Sequence, residues 1–291
     1  MPQYPLRSSP PWHFRLAKWL IRNRIRGGFQ TIELAERMGW LNYDCRYQLS
    51  DKVAVDVPLY RRVNQVALPD LLAYERLLVN LLTEQINRFP RPATWIDCGA
   101  DIGMLTALVA AGCKELKEVV ALEPNPLPFA YLERNFSLLP FPHRAIPSAV
   151  ADFRGRGKLA YSPHDPSDHS RFLAPDEHGE LDVTCIDDLG IGPGTPLAIK
   201  IDVEGGELAV LRGAKQTLTN SSHWVVAFEA QRDVFHRTRI DPCECIRFLE
   251  ELGSKKAQVA ERPEIKLDFS RPYFEQVSEK ITNVVCMHST D

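Results

Sequence analysis

Two stretches of the chain concentrate carboxylates and glycines in patterns that could do chemistry. The first is Asp97-Cys-Gly-Ala-Asp-Ile-Gly103. Glycines at 99 and 103 accept positive φ and let a ligand approach the backbone closely. The spacing is DxGxxxG, not the GxGxxG that seats a dinucleotide diphosphate on a helix N-terminus. Asp97, Asp101 and Glu123 surround the turn with negative charge, which repels a diphosphate and suits a cation or a row of hydroxyls. The second is Ile199-Lys-Ile-Asp-Val-Glu-Gly-Gly-Glu207. Here a buried-looking apolar run carries one lysine, Lys200, and ends in Asp202 and Glu204. Charge at the end of a buried strand is costly unless it is paired or used.

Glu123 lies 20 residues beyond Gly103, at the end of the next apolar run. A carboxylate there can accept hydrogen bonds from both hydroxyls of a ribose. S-adenosylmethionine fits the set, with its ribose on Glu123, its ammonium group near Asp97 and its methionine portion along the Gly99 backbone. The plainer alternative is a glycine turn built for packing alone. At the second stretch the plainer alternative is an internal Lys200–carboxylate pair with helix N-terminal acids favoured by the dipole. Glu207 is assigned to that structural role, and Asp202 and Glu204 to function.

Both stretches need a frame that brings them together. Strand and helix patterns alternate from about residue 93, which predicts a parallel sheet with helices on both faces. Thr94–Cys98, Val119–Glu123, His143–Val150, Pro196–Asp202, Trp224–Glu229 and Asn283–His288 read as strands. Gly103–Ala111, a segment capped by Asn125-Pro126, a segment carrying Leu208, Leu211, Ala214 and Leu218, and one opening on the Asp241-Pro-Cys-Glu244 capping box read as helices. In such sheets ligands bind beyond the carboxyl ends of the strands, so Asp202 and Glu204 should face the glycine turn. Residues 152–195 read as a long irregular insertion, extended only at Lys158–Tyr161 and Leu181–Cys185, of the kind that forms binding loops.

Upstream, residues 12–26 predict an amphipathic helix stopped by Gly27-Gly28, with Phe14, Ala17, Ile21 and Ile25 opposite Arg15, Lys18, Arg22 and Arg26. Packing of its apolar stripe on the rest of the chain is preferred over docking to an anionic membrane or an acidic partner. Short extended pieces follow over 45–68, and Pro69-Asp70 opens a helix through Leu78, Leu82 and Ile86. The expected division is an N-terminal basic cap over 1–69 and a catalytic domain over 70–291.

Composition narrows the class. At 291 residues, 44% hydrophobic and 25% charged, the chain has the make-up of a globular protein. A net charge of −3 argues against nucleic acid as a partner. The charge is divided, however: residues 1–62 hold 11 Lys/Arg and 5 Asp/Glu, leaving −9 on the rest. Seven cysteines without a CxxC pair read as reduced thiols, and no secretory signal is visible, so a cytoplasmic location is expected. Nothing sets the oligomeric state.

Five ordered motifs make a resemblance specific. Asp97–Gly103, Glu123-Pro124-Asn125-Pro126, Ala149–Asp152, Ile186–Leu189 and Lys200–Gly213 resemble the conserved pieces of the FkbM family of S-adenosylmethionine-dependent methyltransferases. Residues 1–69 match no motif of it. The resemblance implies a class I methyltransferase, Rossmann-like α/β fold: a seven-stranded, mostly parallel sheet flanked by helices, with the N-terminal segment as a helical and extended cap. It implies methyl transfer to an oxygen, with Asp97, Gly99, Ala100, Asp101, Gly103, Glu123, Pro124, Asn125, Ala149 and Asp152 at the cofactor. Asp101 stands where the family commonly has Asn, and Gly206 where it has Ala.

The expected acceptor is a small-molecule or glycan hydroxyl. Asp202 would take its proton or position it, and Glu204 would add a polar contact. Lys200 would hold their charges, and Glu229 would line the acceptor pocket. A divalent metal bridging Asp202, Glu204 and Glu229 is an alternative, but the spacing has no metal signature and no metal is assigned. A dinucleotide-dependent oxidoreductase and a non-catalytic interaction protein keeping the fold are the competing classes.

Overall fold

The chain begins with β1 (Leu6–Arg7), α1 (Trp12–Arg22), α2 (Gly28–Arg37), β2 (Asp44–Gln48) and β3 (Ala54–Pro58) in the computed structural model, which describes residues 5–9, 12–23, 25–59, 75–161 and 171–289. The expected helix over 12–26 is shorter, ending at Arg22. Gly27, at φ 110°, does not simply end a helix but opens a second one that the sequence did not suggest. Gly28 lets the two helices close on each other, since a Cβ there would lie 2.5 Å from Ile21 Cγ1. Strand β2 pairs with β1 in parallel and with β3 antiparallel. Every residue of β3 is buried, so the strand is covered on both faces. Asp56, on one face, is covered by Arg46 and Arg134 at 2.7 and 2.8 Å.

The main sheet follows: α3 (Arg76–Arg88), β4 (Ala93–Cys98), α4 (Met104–Gly112), β5 (Leu116–Leu122), α5 (Pro126–Phe136) and β6 (His143–Ile146). The expected helix start at Pro69-Asp70 lies outside the described residues. Leu78, Leu82 and Ile86 form the buried stripe of α3, as their spacing requires. Asn125 caps α5, its side chain accepting from Leu127 N, and Pro126 occupies the first turn where no N–H is missed.

Next come β7 (Ser148–Val150), β8 (Gly155–Tyr161), β9 (Arg171–Pro175) and β10 (Leu181–Thr184). Two expectations change here. The single strand over His143–Val150 is two strands: β6 belongs to the main sheet and β7 to another. Pro147, which lacks a ladder N–H, sits at the break. The supposed irregular insertion builds a four-stranded sheet in the order β7-β10-β8-β9, although residues 162–170 lie outside the described set.

The remaining elements are β11 (Leu197–Ile201), α6 (Glu207–Arg212), α7 (Lys215–Thr219), β12 (His223–Gln231), α8 (Arg232–Thr238), α9 (Pro242–Glu251), β13 (Lys256–Val259), α10 (Tyr273–Gln276) and β14 (Ile281–Ser289). The expected single helix after β11 breaks at Gly213, where a Cβ would sit 2.1 Å from Ala151 O. The Asp241 capping box forms with both of its reciprocal hydrogen bonds.

The main sheet is seven-stranded, in the order β13-β14-β12-β11-β4-β5-β6. Strands β12, β11, β4, β5 and β6 are parallel neighbours, and β14 runs antiparallel to both β12 and β13. From β4 the chain moves outward to β5 and β6, and from β11 it moves the other way to β12. The strand order therefore reverses between β4 and β11, and their carboxyl ends frame a crevice. This is the seven-stranded Rossmann-like α/β sheet that the motifs implied.

One packed core holds Trp95, Ala198, Val225 and Ala227 with α3 and α4, and another holds Ile96, Ile199, Ile201 and Phe228. The period-2 alternation of strands thus puts Asp97, Lys200 and Glu229 on the α3 side of the sheet.

The N-terminal segment is held by charge of the sense opposite to its net value. Its own acids, Asp44 and Asp56, are the buried partners, and Arg134 of α5 reaches both, at 2.6 and 2.8 Å. Tyr131 Oη donates to Asp44 at 3.0 Å. Asn135 accepts from Asp56 N at 2.8 Å and donates to Asp56 O at 3.0 Å and to Ile102 O at 2.7 Å.

Candidate active site

The glycine turn between β4 and α4 is shaped by the strands beside it. Gly99 N and Ala100 N both donate to Leu122 O, at 2.9 and 3.1 Å, which folds the turn against the end of β5. Gly99 has φ 81°, and a Cβ on it would lie 1.8 Å from Asp202 O. No side chain fits there. Gly103, at φ 78°, makes the same kind of approach to Leu132. Asp101 itself has φ 49°, a conformation that Asn and Asp tolerate better than other side chains. The turn is a cradle of bare backbone, closed on the β11 side by Asp202 O.

Glu123 is aimed across this turn. Its Oε2 accepts from Asp101 N at 2.9 Å and its Oε1 from Asn125 N at 2.8 Å. These two hydrogen bonds fix the carboxylate in place across the turn. Asn125 is spent on α5 and on Glu123, and Pro124 joins them. Asp97 is buried and accepts from Thr106 Oγ1 at 2.6 Å, which in turn accepts from Trp95 Nε1 at 2.9 Å. Burial pushes the Asp97 carboxyl up to about 6, against the pull of the Thr106 hydrogen bond and the nearby lysine charge. Ala149 and Asp152 belong to the small sheet and its edge. Ala149 is buried and Asp152 exposed, and Asp152 stands where Gly213 lets the backbone pass.

The acid loop lies one strand over. Asp202 N donates to Cys98 O at 2.9 Å, so the end of β11 is fastened to the start of the glycine turn. Lys200 is fully buried, in register with Asp97 on β4 and Ala227 on β12. Its Nζ meets Asp202 Oδ2 at 3.2 Å. Burial alone would lower the lysine's pKa, but the carboxylates of Asp202, Glu75, Glu229 and Asp97 outweigh it and hold Lys200 protonated, above its ordinary value. Glu229 is pushed well up by burial and by the Asp202 charge beside it.

Carboxylate oxygens of Asp202, Glu204 and Glu229 lie within 4.8 Å of one another, close enough to share a proton or a cation. Sequence spacing could not show this, because Glu229 comes from the neighbouring strand. Glu207 keeps the structural role expected of it, accepting from Gly205 N at 2.9 Å to close its own turn. Asp187 of the Ile186–Leu189 motif is also structural: it accepts from Thr217 N at 2.7 Å and Gln216 N at 3.1 Å, capping α7.

Two residues at the site had no sequence signal. Glu75, at the start of α3, has a buried Oε2 with no hydrogen-bond partner among the described residues, and its charge acts on Lys200. Arg237 of α8 donates to Glu204 O, and its guanidinium lies 4.5 Å from the centre of the Phe172 ring of β9. It therefore ties the acid loop to the small sheet. Phe172 places that sheet beside the carboxylates, in the position the insertion was expected to take.

Three of the solved structures the chain resembles are methyltransferases. An FkbM methyltransferase from Methylobacillus flagellatus is 16% identical over 94% of this chain and 62% of its own, with a TM-score of 0.42. Precorrin-6y C5,15-methyltransferase from Geobacter metallireducens is 13% identical over 73% of this chain and 88% of its own, with a TM-score of 0.39. The geranyl diphosphate C-methyltransferase of Streptomyces coelicolor is 7% identical over 75% of this chain and 80% of its own, with a TM-score of 0.44. No curated protein matches the sequence. The FkbM methyltransferase domain, by contrast, matches residues 97–256, from the Asp97 of the glycine turn through both site loops to the start of β13. That span is more than half of the chain, and it contains the crevice, its cradle and its carboxylates: the protein belongs to the FkbM family of methyltransferases.

Proposed function

We propose that the protein transfers a methyl group from S-adenosylmethionine to a hydroxyl oxygen of a small molecule or sugar. The observation that carries this reading is the gathering of Glu229 of β12 with Asp202 and Glu204, which lie on a loop hydrogen-bonded to the glycine turn. S-adenosylmethionine supplies a methyl on a positive sulfonium, which needs a nucleophile in line but no acid to activate it.

The chain does the rest. Glu123 holds the ribose diol, the Gly99–Gly103 backbone accommodates the methionine portion, and the buried carboxylate of Asp97 balances the ammonium charge. An acceptor hydroxyl loses its proton as the C–O bond forms, and Asp202 takes it. Lys200 holds Asp202 in place at 3.2 Å. Glu229, whose affinity for a proton is raised, donates a hydrogen bond to the acceptor or shares the transferred proton. Glu204 and Arg237 shape the acceptor side. A diphosphate of the kind that dinucleotides carry would meet these carboxylates unfavourably, which disfavours a dinucleotide-dependent oxidoreductase.

The test is Asp202→Asn. With labelled methyl donor and a panel of hydroxylated acceptors, the turnover should fall by about 10²–10⁴-fold, while calorimetric affinity for S-adenosylhomocysteine stays within about threefold of the parent. An Asn variant that turns over like the parent refutes Asp202 as base, and methylation of carbon or nitrogen acceptors alone refutes oxygen as the target. Activity is expected to survive chelation. Loss on chelation with return on adding magnesium would make the carboxylates cation ligands instead.

A further inference from the structure

The helix pair α1–α2 turns an apolar stripe outward. Trp12, Leu16 and Trp19 recur at i, i+4 and i+7, so they share one stripe of α1. Trp12 is 64% exposed and Trp19 55%. His13 and Ala17, on the opposite side, are buried against the rest of the chain. The helix does pack, as its periodicity suggests, but with a different face from the one left in solvent. Trp40, just beyond α2, is also exposed at 45% and stands 5.5 Å from the His13 ring. Leu34 and Met38 extend the exposed surface. Scattered apolar residues on a surface are ordinary; three indoles on one small helical pair are not.

The charge around them has one sign. No acidic residue occurs before Glu33, whereas Arg7, Arg15, Lys18, Arg22, Arg24 and Arg26 do. The acids of the N-terminal segment, Asp44 and Asp56, are consumed inside by Arg134 and Arg46. Arg15 and Arg26 are exposed. The segment therefore carries exposed apolar rings and exposed, unbalanced positive charge together. Indoles favour the boundary between lipid headgroups and acyl chains, and arginines favour anionic headgroups. A symmetric dimer through this face would set like charges against each other.

We propose that the α1–α2 pair docks the enzyme on an anionic membrane surface, with Trp12, Leu16 and Trp19 entering the headgroup boundary and Arg15 and Arg26 on the lipid phosphates. No helix among the described residues is long and apolar enough to cross a membrane, so this is a surface contact. It is independent of the methyl acceptor and of the reading of the crevice.

The test uses the full chain with vesicles of phosphatidylcholine alone, or of phosphatidylcholine mixed with phosphatidylglycerol. Sedimentation with the mixed vesicles only, weakened by salt, is expected, together with a blue shift of tryptophan emission. The indoles of Trp95 and Trp224 are already buried and should contribute no shift. Arg15→Gln with Arg26→Gln should weaken partitioning roughly 25-fold, about fivefold for each charge. Trp12→Ala with Trp19→Ala should abolish both sedimentation and the shift. These positions are exposed, and an unchanged thermal melt confirms folding; the arginine pair remains decisive if the tryptophan pair unfolds. Equal binding to both vesicle types, or to neither, overturns the proposal. So does a concentration-dependent dimer that the tryptophan substitutions dissolve, which would give the face to a second copy.

Discussion

Replacing Lys200 by Met keeps the length and apolar character of the side chain while removing the only charge that sits beneath the site carboxylates from within β11. The lysine is buried and meets Asp202 at 3.2 Å. Two unit charges at that distance interact by about 5 kcal/mol at an effective dielectric of about 20. Removing one partner of a buried pair is expected to cost about 3–5 kcal/mol, because the other charge remains without compensation. The cost should depend on pH in a definite sense. Burial already holds Asp97 near 6, and Glu75 and Glu229 are also raised. An acid whose folded pKa exceeds its unfolded value carries no penalty below the unfolded value and the full penalty above the folded one.

Without Lys200 the folded values climb further, so the variant's deficit should be small near about pH 5 and grow towards about pH 8. Urea unfolding of both proteins across that range reads it directly. A deficit below about 1 kcal/mol at every pH, or one that shrinks as pH rises, would refute the assignment of Lys200 as the counter-charge.

Glu123→Gln should weaken S-adenosylhomocysteine binding by roughly 10–100-fold in calorimetry, since hydrogen bonds to a charged group are worth about 1.5–3 kcal/mol and a carboxamide cannot accept on both atoms. Retained affinity would remove the ribose from this residue. Gly99→Ala should lower the melting temperature and abolish cofactor binding together, because its Cβ would fall 1.8 Å from Asp202 O. A variant of normal stability would mean that the two loops separate more freely than their hydrogen bond at 2.9 Å suggests.

The parts of the site that lie within one strand-turn-helix unit were legible in the sequence. Asp97 to Gly103, Glu123 and Asp202 to Glu207 carry local signals: a glycine where positive φ is required, an acid at a strand end, a cap before a helix. What escaped depends on who lies beside whom. Glu75 was unremarkable until α3 crossed the sheet above Lys200, and Arg237 until α8 met the small sheet. Lys158–Tyr161 and Leu181–Cys185 read as extended and lie in β8 and β10, but their assembly into a separate sheet was hidden, because β7 joins it through a partner far along the chain, as in Ser148 with Asp182. Gly27-Gly28 was read as a stop because glycine ends helices more often than it begins them. Here the close approach of Ile21 decides.

The hydrogen bonds of Asn135 bear on how this protein could be dissected. One side chain holds β3 through Asp56 and, at the same time, the carbonyl of Ile102 inside the glycine turn. The recurrent sequence unit opens at Asp97, but the splint that steadies its glycine turn is anchored far upstream. A fragment trimmed to the recurrent unit would strip β3 from Asn135 and leave Arg134 without Asp44 or Asp56. Such a clone should be expected to lose its ligand affinity first and its solubility soon after. The unit that evolution reuses and the unit that folds have different edges here.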